Sequence, residues 1–284
     1  MERIKLMVPA SCANLGSAFD VLGIAVNLYN VFEFSLSDKD AFICEGKYCS
    51  LVNPEKVFQK LDSLSEILGI ERPPITLKEV IEIPLSSGLG SSASFVVASI
   101  FALNELLDLK FDEEKILNAA SLSEGHPDNV AAALFGGCVM LKKRPEGVFW
   151  KKLPWPHKWK IVVYLPASSV STDDSRKILP VAYSRDTVVD QISSAGFLVS
   201  GILMEDIEML KIGMEDRMHQ QYRFLISPES KRVFETLKFS TDAAVFLSGS
   251  GPAVGVVCES SDELPDIAGA HKMELSVSEG VMFS

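Results

Sequence analysis

The sequence predicts an α+β protein built in two halves. Three observations carry that reading. Short segments near the N-terminus alternate apolar and polar side chains, as strands do. A strand, a Gly/Ser loop and an apolar helix follow one another between residues 75 and 107. A second series of helices and strands then follows a Pro-, Trp- and charge-rich stretch, RPEGVFWKKLPWPHKW, which puts a domain boundary near residue 155. The expected domains are 1–155 and 156–284.

Residues 3–8 (RIKLMV) show the period of two that marks a strand, and 31–36 (VFEFSL) repeat it. Residues 75–83 (ITLKEVIEI) are β-branched and alternating, a third strand stopped by Pro84. Residues 91–107 (SSASFVVASIFALNELL) are apolar almost all round, the pattern of a buried helix. Asp112, followed by Glu113 and Glu114, opens the next helix with a cap and then acid at the positive end of the dipole. Residues 138–142 and 160–165 read as strands. In the second half a long helix is expected over 187–204, with another element reaching about 225. SPES starts a helix, with Ser227 as cap and Pro228 in the first turn. Strands over 242–247 and 253–258 are joined by SGSGP; a short helix and a last strand close the chain.

Composition narrows the function classes. The chain has 284 residues, of which 47% are hydrophobic and 23% charged, enough to bury a sizeable core. A net charge of −11 repels nucleic acid and anionic membranes, and no Lys/Arg run with interleaved aromatics is present. No apolar run nears ~18 residues without polar breaks, so no membrane partner is expected. The five cysteines, Cys12, Cys44, Cys49, Cys138 and Cys258, contain no CxxC pair and only four histidines accompany them, which argues against zinc. Scattered thiols read as a reduced, cytoplasmic protein. In so acidic a chain any polyphosphate site must be local: backbone N–H groups, a helix terminus, a few arginines and a metal ion.

PLSSGLGSSAS is the first candidate for such a site. It comprises Pro84, Leu85, Ser86, Ser87, Gly88, Leu89, Gly90, Ser91, Ser92, Ala93 and Ser94. Gly88 and Gly90 allow close backbone approach, and the first turn of the following helix leaves N–H groups free to meet an anion. The stretch also reads as a plain strand-to-helix turn. It lacks the lysine of a P-loop and is not a G-x-S-x-G elbow. It matches G-x-G-x-x-A only loosely, far from the chain's first strand. Three further stretches stand out. VPASCANLGSAFDVLG (Val8–Gly23) reads as a strand and an Asn/Gly turn, SEGHPDNVAAALFGG (Ser123–Gly137) as a polar helix start, and FLSGSGPAVGVV (Phe246–Val257) as a tight hairpin.

Taken together, P-x-x-x-G-L-G-S-S-A and these three stretches resemble the GHMP kinases, and E-G-H-P-D-N-x-A resembles their homoserine kinase branch. STDDSRKILP (Ser171–Pro180) and DRMHQQYRF (Asp216–Phe224) resemble that branch too, so the likeness runs from Val8 to about Val257. The one departure is Ser17-Ala18, where the family commonly has Pro-Gly. The resemblance implies a ribosomal-protein-S5-like N-terminal domain, a ferredoxin-like C-terminal domain and a site between them. It implies transfer of a phosphoryl group from ATP to the hydroxyl of L-homoserine, giving O-phospho-L-homoserine on the route to threonine, and a possible homodimer.

The resemblance also assigns roles. Residues 84–94 would hold the phosphates of ATP. Ser92 and Glu124 would bind Mg2+. Asn14, Asp20, His126, Asp128 and Gly249 would line the substrate pocket. Arg176 and Arg223 would hold the substrate carboxylate, a pairing that bidentate guanidinium geometry favours. Thr172 and Arg176 lie in a matching segment beside the reacting groups. Asn53, in LVNPEKVF, is the candidate for the adenine pocket. Several relatives place an Asp where Asn129 stands here, and an amide cannot take a proton. Two mechanisms therefore stay open: direct transfer past Asn129, or proton removal by Asp128.

Overall fold

The computed structural model describes residues 3–284. The first half contains β1 (Arg3–Ala13), β2 (Leu22–Leu36), β3 (Ala41–Glu45), α1 (Pro54–Leu68) and β4 (Ile75–Val80), followed by α2 (Ser91–Leu106), α3 (Glu113–Glu124), α4 (Asp128–Phe135), β5 (Cys138–Arg144) and β6 (Gly147–Leu153). The second contains β7 (Lys160–Pro166), α5 (Thr172–Lys177), α6 (Arg185–Met204), α7 (Ile207–Gly213) and α8 (Gln220–Arg223), then α9 (Pro228–Ser240), β8 (Ala244–Leu247), β9 (Val254–Cys258) and β10 (Ala270–Leu275). The tail then returns: β11 (Met282–Phe283) pairs with β1, and Val277 and Glu279 bridge back to Val26 and Gly136.

The first sheet runs β11-β1-β2-β4-β3, with β5 also paired to β2 and β6 to β5. Its pairs are antiparallel except β3 with β4. Helices α1 to α4 cover one face. Val57, Leu61 and Leu64 of α1 and Val96, Val97, Ile100 and Leu103 of α2 pack on Ile4, Leu6, Val8, Phe32, Ile75 and Leu77. Each such side chain contributes roughly 1.5–3 kcal/mol by leaving water. The register between β1 and β2 shifts between Pro9 and Ala10, where Asn27 and Leu28 of β2 have no partner in the ladder. Before that point, Ile4, Leu6 and Val8 face the helices; after it, Ala10 and Cys12 face the core shared with the second half.

The second sheet, β10-β7-β9-β8, is wholly antiparallel. Ile161, Val163 and Phe246 pack toward α6, α7 and the first half. Val162, Tyr164, Val245 and Val254 pack on the other side, where α9 supplies Val233 and Leu237. Burial of both faces explains why AVFL and VGVVC are apolar throughout. Helix α6 has the length and hydropathy of a bilayer-crossing helix. Here it is an element of the fold: Leu198 and Ile202 enter the core, and Gln191 donates to Ser17 O and Asp216 Oδ1.

Several expectations are corrected. The third strand stops at Val80, because Glu82 N and Ile83 N both donate to Asn30 Oδ1 and leave the ladder. No helix occurs between β9 and β10; residues there form turns. Helix α9 begins at Pro228 as expected, but Ser227 caps no backbone N–H, since its hydroxyl pairs with Ser230 Oγ at 2.5 Å. Cys44 and Cys49 are joined as a disulfide, so only Cys12, Cys138 and Cys258 are free thiols. The turn between β3 and a short helical turn at Cys49–Leu51 folds the two cysteines together, with Cα atoms 5.6 Å apart. Helix α1 went unread in the sequence although its signals were present. Asn53 caps it, Pro54 begins it, and Gly69 ends it at φ 69°.

Candidate active site

The Gly/Ser loop is a folded device, held from three sides. Ser11 N donates to Leu89 O at 3.0 Å, Ala253 N to Ser87 O at 3.0 Å, and Ser248 Oγ to Gly88 O at 2.7 Å. Gly88 and Gly90 both take positive φ, 80° and 72°. An added Cβ at Gly88 would stand 2.3 Å from Ser248 O, so glycine is required there by space as well as by φ. Gly90 occupies the cap position of α2 and brings no side chain to it. The first-turn N–H groups of a buried helix are thus left pointing out of the fold, at the positive end of its dipole. That arrangement suits an anion and does nothing for a plain turn.

Ser92 and Glu124 come from different helices, the first turn of α2 and the last residue of α3. Ser92 Oγ donates to Glu124 Oε1 at 2.9 Å, and Lys60 Nζ stands 3.0 Å from the same oxygen. The described residues contain no cluster of three or more His, Cys, Asp or Glu able to hold an ion by themselves. A hydroxyl and a carboxylate at a phosphate-binding turn fit Mg2+ nonetheless. That ion keeps several waters and takes one or two protein oxygens together with phosphate oxygens.

Asn14, Asp20, His126, Asp128, Asn129, Thr172, Arg176, Arg223 and Gly249 all line one pocket, together with Gly88, Gly90 to Ala93 and Glu124. The sequence scattered them over 235 positions; the two halves bring them together. Two roles differ from expectation. Both polar atoms of Asn14 are engaged within the protein: Nδ2 donates to Gly249 O at 3.1 Å, and Oδ1 accepts from Asp20 N at 3.0 Å. Asn14 therefore positions its neighbours. Asp20 is clasped by Arg176 through two bonds of 2.7 and 3.1 Å. Thr172 opens α5 beside Ser250, 3.5 Å between hydroxyls. Ser17, the departure from the family pattern, donates to Gly213 O at 2.5 Å and so ties the loop to α7.

Charge is arranged in opposition. Arg176 and Arg223 both stack near the Phe19 ring, 5.5 and 5.2 Å from its centre. Burial, and then the neighbouring Arg176, push Arg223 down to about 10. Burial acts to lower Arg176 too, but its bonds to Asp20 leave it above the ordinary value. On the other wall, His126 Nδ1 lies 2.6 Å from Asp128 Oδ1, which also accepts from Asn129 N at 2.8 Å. Burial disfavours both charges, yet each partner outweighs it: His126 ends above its usual pKa and Asp128 below. Asn129 Oδ1 accepts from Ser11 Oγ at 2.9 Å.

Supporting residues escaped the sequence reading. Asp216 accepts from the backbone N–H of Met218, His219 and Gln220, and so builds the turn that presents Arg223. Burial drives His219 down to about 4, leaving it neutral. Arg223 Nη1 donates to its Nδ1 at 3.2 Å, so the ring proton sits on Nε2 and is donated to Gly16 O. The D-x-x-H-x-x-YR spacing held that signal, and Phe19 stands in the VPASCANLGSAFDVLG stretch; Lys60 had none. Asn53 stands at a second, more apolar cleft with Phe32, Val52 and Phe95, which meets the loop at Ser86, Ser91 and Ser92. Its Oδ1 is used to cap α1, leaving only the amide N–H groups for a ligand.

Comparison with known proteins agrees with this geometry. The family model "GHMP kinases N terminal domain" matches residues 55–137, and "GHMP kinases C terminal" matches residues 190–273. The chain is 34% identical to a homoserine kinase of Desulfitobacterium hafniense, over 88% of this chain and 86% of that one. It is 36% identical to one from Carboxydothermus hydrogenoformans, over 88% and 83%. The crystal structure of a homoserine kinase from Cytophaga hutchinsonii superposes with a TM-score of 0.84 at 29% identity, covering 100% of this chain and 98% of the other. Mevalonate diphosphate decarboxylase from Staphylococcus aureus, at 14% identity and a TM-score of 0.68, shares the fold. On the loop, the two-sided pocket and this similarity along nearly its whole length, the chain belongs to the homoserine kinase family of the GHMP kinases.

Proposed function

We propose that this chain transfers the γ-phosphoryl group of ATP to the hydroxyl of L-homoserine, giving O-phospho-L-homoserine for threonine synthesis. The observation that carries the reading is the pocket's opposed charge. Two arginines on one wall and a buried carboxylate on the other match the carboxylate and ammonium of an amino acid, beside a helix N-terminus open to phosphate. The arginines repel one another, so an entering carboxylate gains from both. Asp128 Oδ1 is committed to His126 and Asn129, which leaves Oδ2 for the ammonium group. The halves divide the work at about residue 155. Residues 1–155 supply the ATP loop, and 156–284 supply Arg176, Arg223 and the 249 turn.

Positioning and charge compensation do most of the work in such a transfer. The α2 N-terminus and residues 84–94 orient the phosphates, with the base in the cleft by Asn53. Mg2+, held by Ser92 and Glu124, supplies charge neutralisation to the phosphate oxygens when bound. Arg176 and Thr172 face the reacting groups. Each carboxylate of the pocket already has a partner, which favours direct transfer. Asp20 is clasped by Arg176, Glu124 is bonded to Ser92 and Lys60, and Asp128 to His126. Asn129 then orients the hydroxyl without taking its proton, which leaves with phosphate or water.

The reading is checked by ADP release from Mg·ATP with L-homoserine, L-serine, mevalonate and galactose offered in parallel. Turnover with L-homoserine alone supports it; turnover with mevalonate and not homoserine overturns it. Glu124→Gln is expected to raise the Mg2+ concentration for half-maximal rate by about 10-fold or more. An unchanged Mg2+ titration would remove Glu124 from the metal site.

A further inference from the structure

Helix α6 has two opposite faces. Gln191, Ser194, Leu198, Gly201 and Ile202 turn inward and are buried. The outward face is not the polar one that a helix facing water carries. Val189, Ile192 and Leu203 are 60%, 67% and 54% exposed, with Val199 half-buried among them. Only 28% of the helix's apolar stretch is buried. In a chain of net charge −11, an apolar stripe of this length left in water needs a cover.

The stripe has a pattern. Val189, Ile192, Gly196, Val199 and Leu203 follow one another at alternating spacings of three and four residues, the repeat of a helix that packs along one seam against another. The pattern is also close to symmetric about Gly196. Val189 and Leu203 lie seven residues to either side, Ile192 four before it and Val199 three after it. Gly196 has no cause within its own chain: its φ is not positive, and nothing stands within 4 Å of an added Cβ. Glycine inside a helix is a costly choice where alanine fits. At the crossing of two helices, the missing Cβ lets their backbones approach closely.

Charge selects the occupant. Arg185 opens the stripe and Glu205 stands just past its end; both are exposed, and neither is held by an ion pair among the described residues. The other acids near the helix ends are engaged. Asp190 holds Arg217, Asp206 caps α7, Glu208 holds Lys211, and Asp186 sits in the first turn, where the helix dipole favours it. A membrane interior offers a partner to neither end, and a parallel helix would set Arg185 against Arg185. We propose that α6 is a self-association surface, on which α6 of a second copy of this chain lies antiparallel and crosses at Gly196. A twofold axis there sets Val189 against Leu203. It also brings Arg185, about 16 Å from Gly196 along the axis, beside Glu205, about 14 Å from it on the partner. The pairing is made twice in each dimer. Gln191, which ties α6 to Ser17 O and Asp216, lies on the opposite side, so association leaves the pocket open.

The test is the oligomeric state of the full chain, read by sedimentation equilibrium from about 0.1 to 100 µM. Wild type is expected to dimerise with a Kd of about 10 µM or tighter. Ile192→Glu puts a charge in the seam and is expected to raise that Kd by about 10²-fold, with kcat kept within about twofold. Gly196→Gln has open space in the monomer, where it should leave the melting temperature unchanged or higher, yet it wedges the crossing and is expected to raise Kd by about 10-fold. Arg185→Glu and Glu205→Arg are each expected to weaken the dimer by about 5-fold, and the double variant to recover most of the loss. A wild type that stays monomeric throughout overturns the proposal. So does a dimer indifferent to Ile192→Glu and Gly196→Gln, which places its interface elsewhere. A double variant no better than the singles removes the antiparallel register. Flotation of a monomeric wild type with phosphatidylcholine vesicles would give the stripe to a lipid surface and overturn it too. None of these readouts depends on the phosphoryl acceptor, so failure here leaves the kinase reading intact.

Discussion

Asp128→Asn is expected to raise the KM for L-homoserine by about 10²-fold and to leave kcat within a factor of a few. The amide keeps the shape and can still accept from Asn129 N, but it removes the charge that faces an ammonium group. It also strips His126 of its ion pair at 2.6 Å, in a pocket where Asp128 is only 2% exposed. Losing one member of a buried charged pair is commonly a change of several kcal/mol, because the other member stays desolvated. Measurement of kcat and KM separately decides the point left open by the sequence. A fall in kcat of about 10² with KM unchanged would make Asp128 the general base and end the direct-transfer mechanism. Glu→Gln at 124 serves as a comparison, since it lies in the same pocket and its effect should follow Mg2+ and not homoserine.

Gly88→Ala is expected to lower kcat/KM by at least about 10²-fold and to destabilise the protein measurably. Two costs combine. Alanine at φ 80° carries a backbone penalty of roughly 1–2 kcal/mol. Its Cβ would also meet Ser248 O at 2.3 Å and Gly251 O at 2.9 Å, both backbone atoms with little freedom to yield. The loop would have to move away from the 249 turn, and a displacement of about 1 Å at a phosphate site is worth about 10²-fold in rate. Gly69→Ala is the control. Gly69 has φ 69° with nothing within 4 Å of an added Cβ, so only the backbone penalty applies. It should destabilise by about 1 kcal/mol and leave activity intact. Equal kinetic effects from the two substitutions, measured after thermal melts confirm folding, would sink the steric account.

Much of the site was legible because its chemistry is local. Gly88, Gly90, Ser91 and Ser92 form one turn, and His126, Asp128 and Asn129 one helix start. Each could be read as a polar or glycine-rich unit inside a few residues. What those units face was not legible. Asn14 looked like a substrate contact, yet its amide is spent on Gly249 O and Asp20 N. Asp20 and Arg176 each looked free for a ligand, and they hold one another across 156 positions. Glu79 falls on the same beat of ITLKEVIEI as Ile75 and Leu77, and that it has no partner there was not legible. It is the inward beat, because Lys78 and Val80 take the outer side.

Local spacing and composition determined the secondary structure that surrounds the site, the turn chemistry at each motif and the family. These depend on backbone propensities and on residues within one turn or one strand. Tertiary structure decided the rest: the shift in the β1–β2 register at Pro9–Ala10, the passage of β1 from one core to the other, the return of residues 277–283 to the first sheet, and the partners of Asn14, Asp20 and Glu124. It also decided that Glu79 would be buried without one. Side-chain partners are chosen among groups that folding brings within a few ångströms, and sequence separation carries no information about that choice.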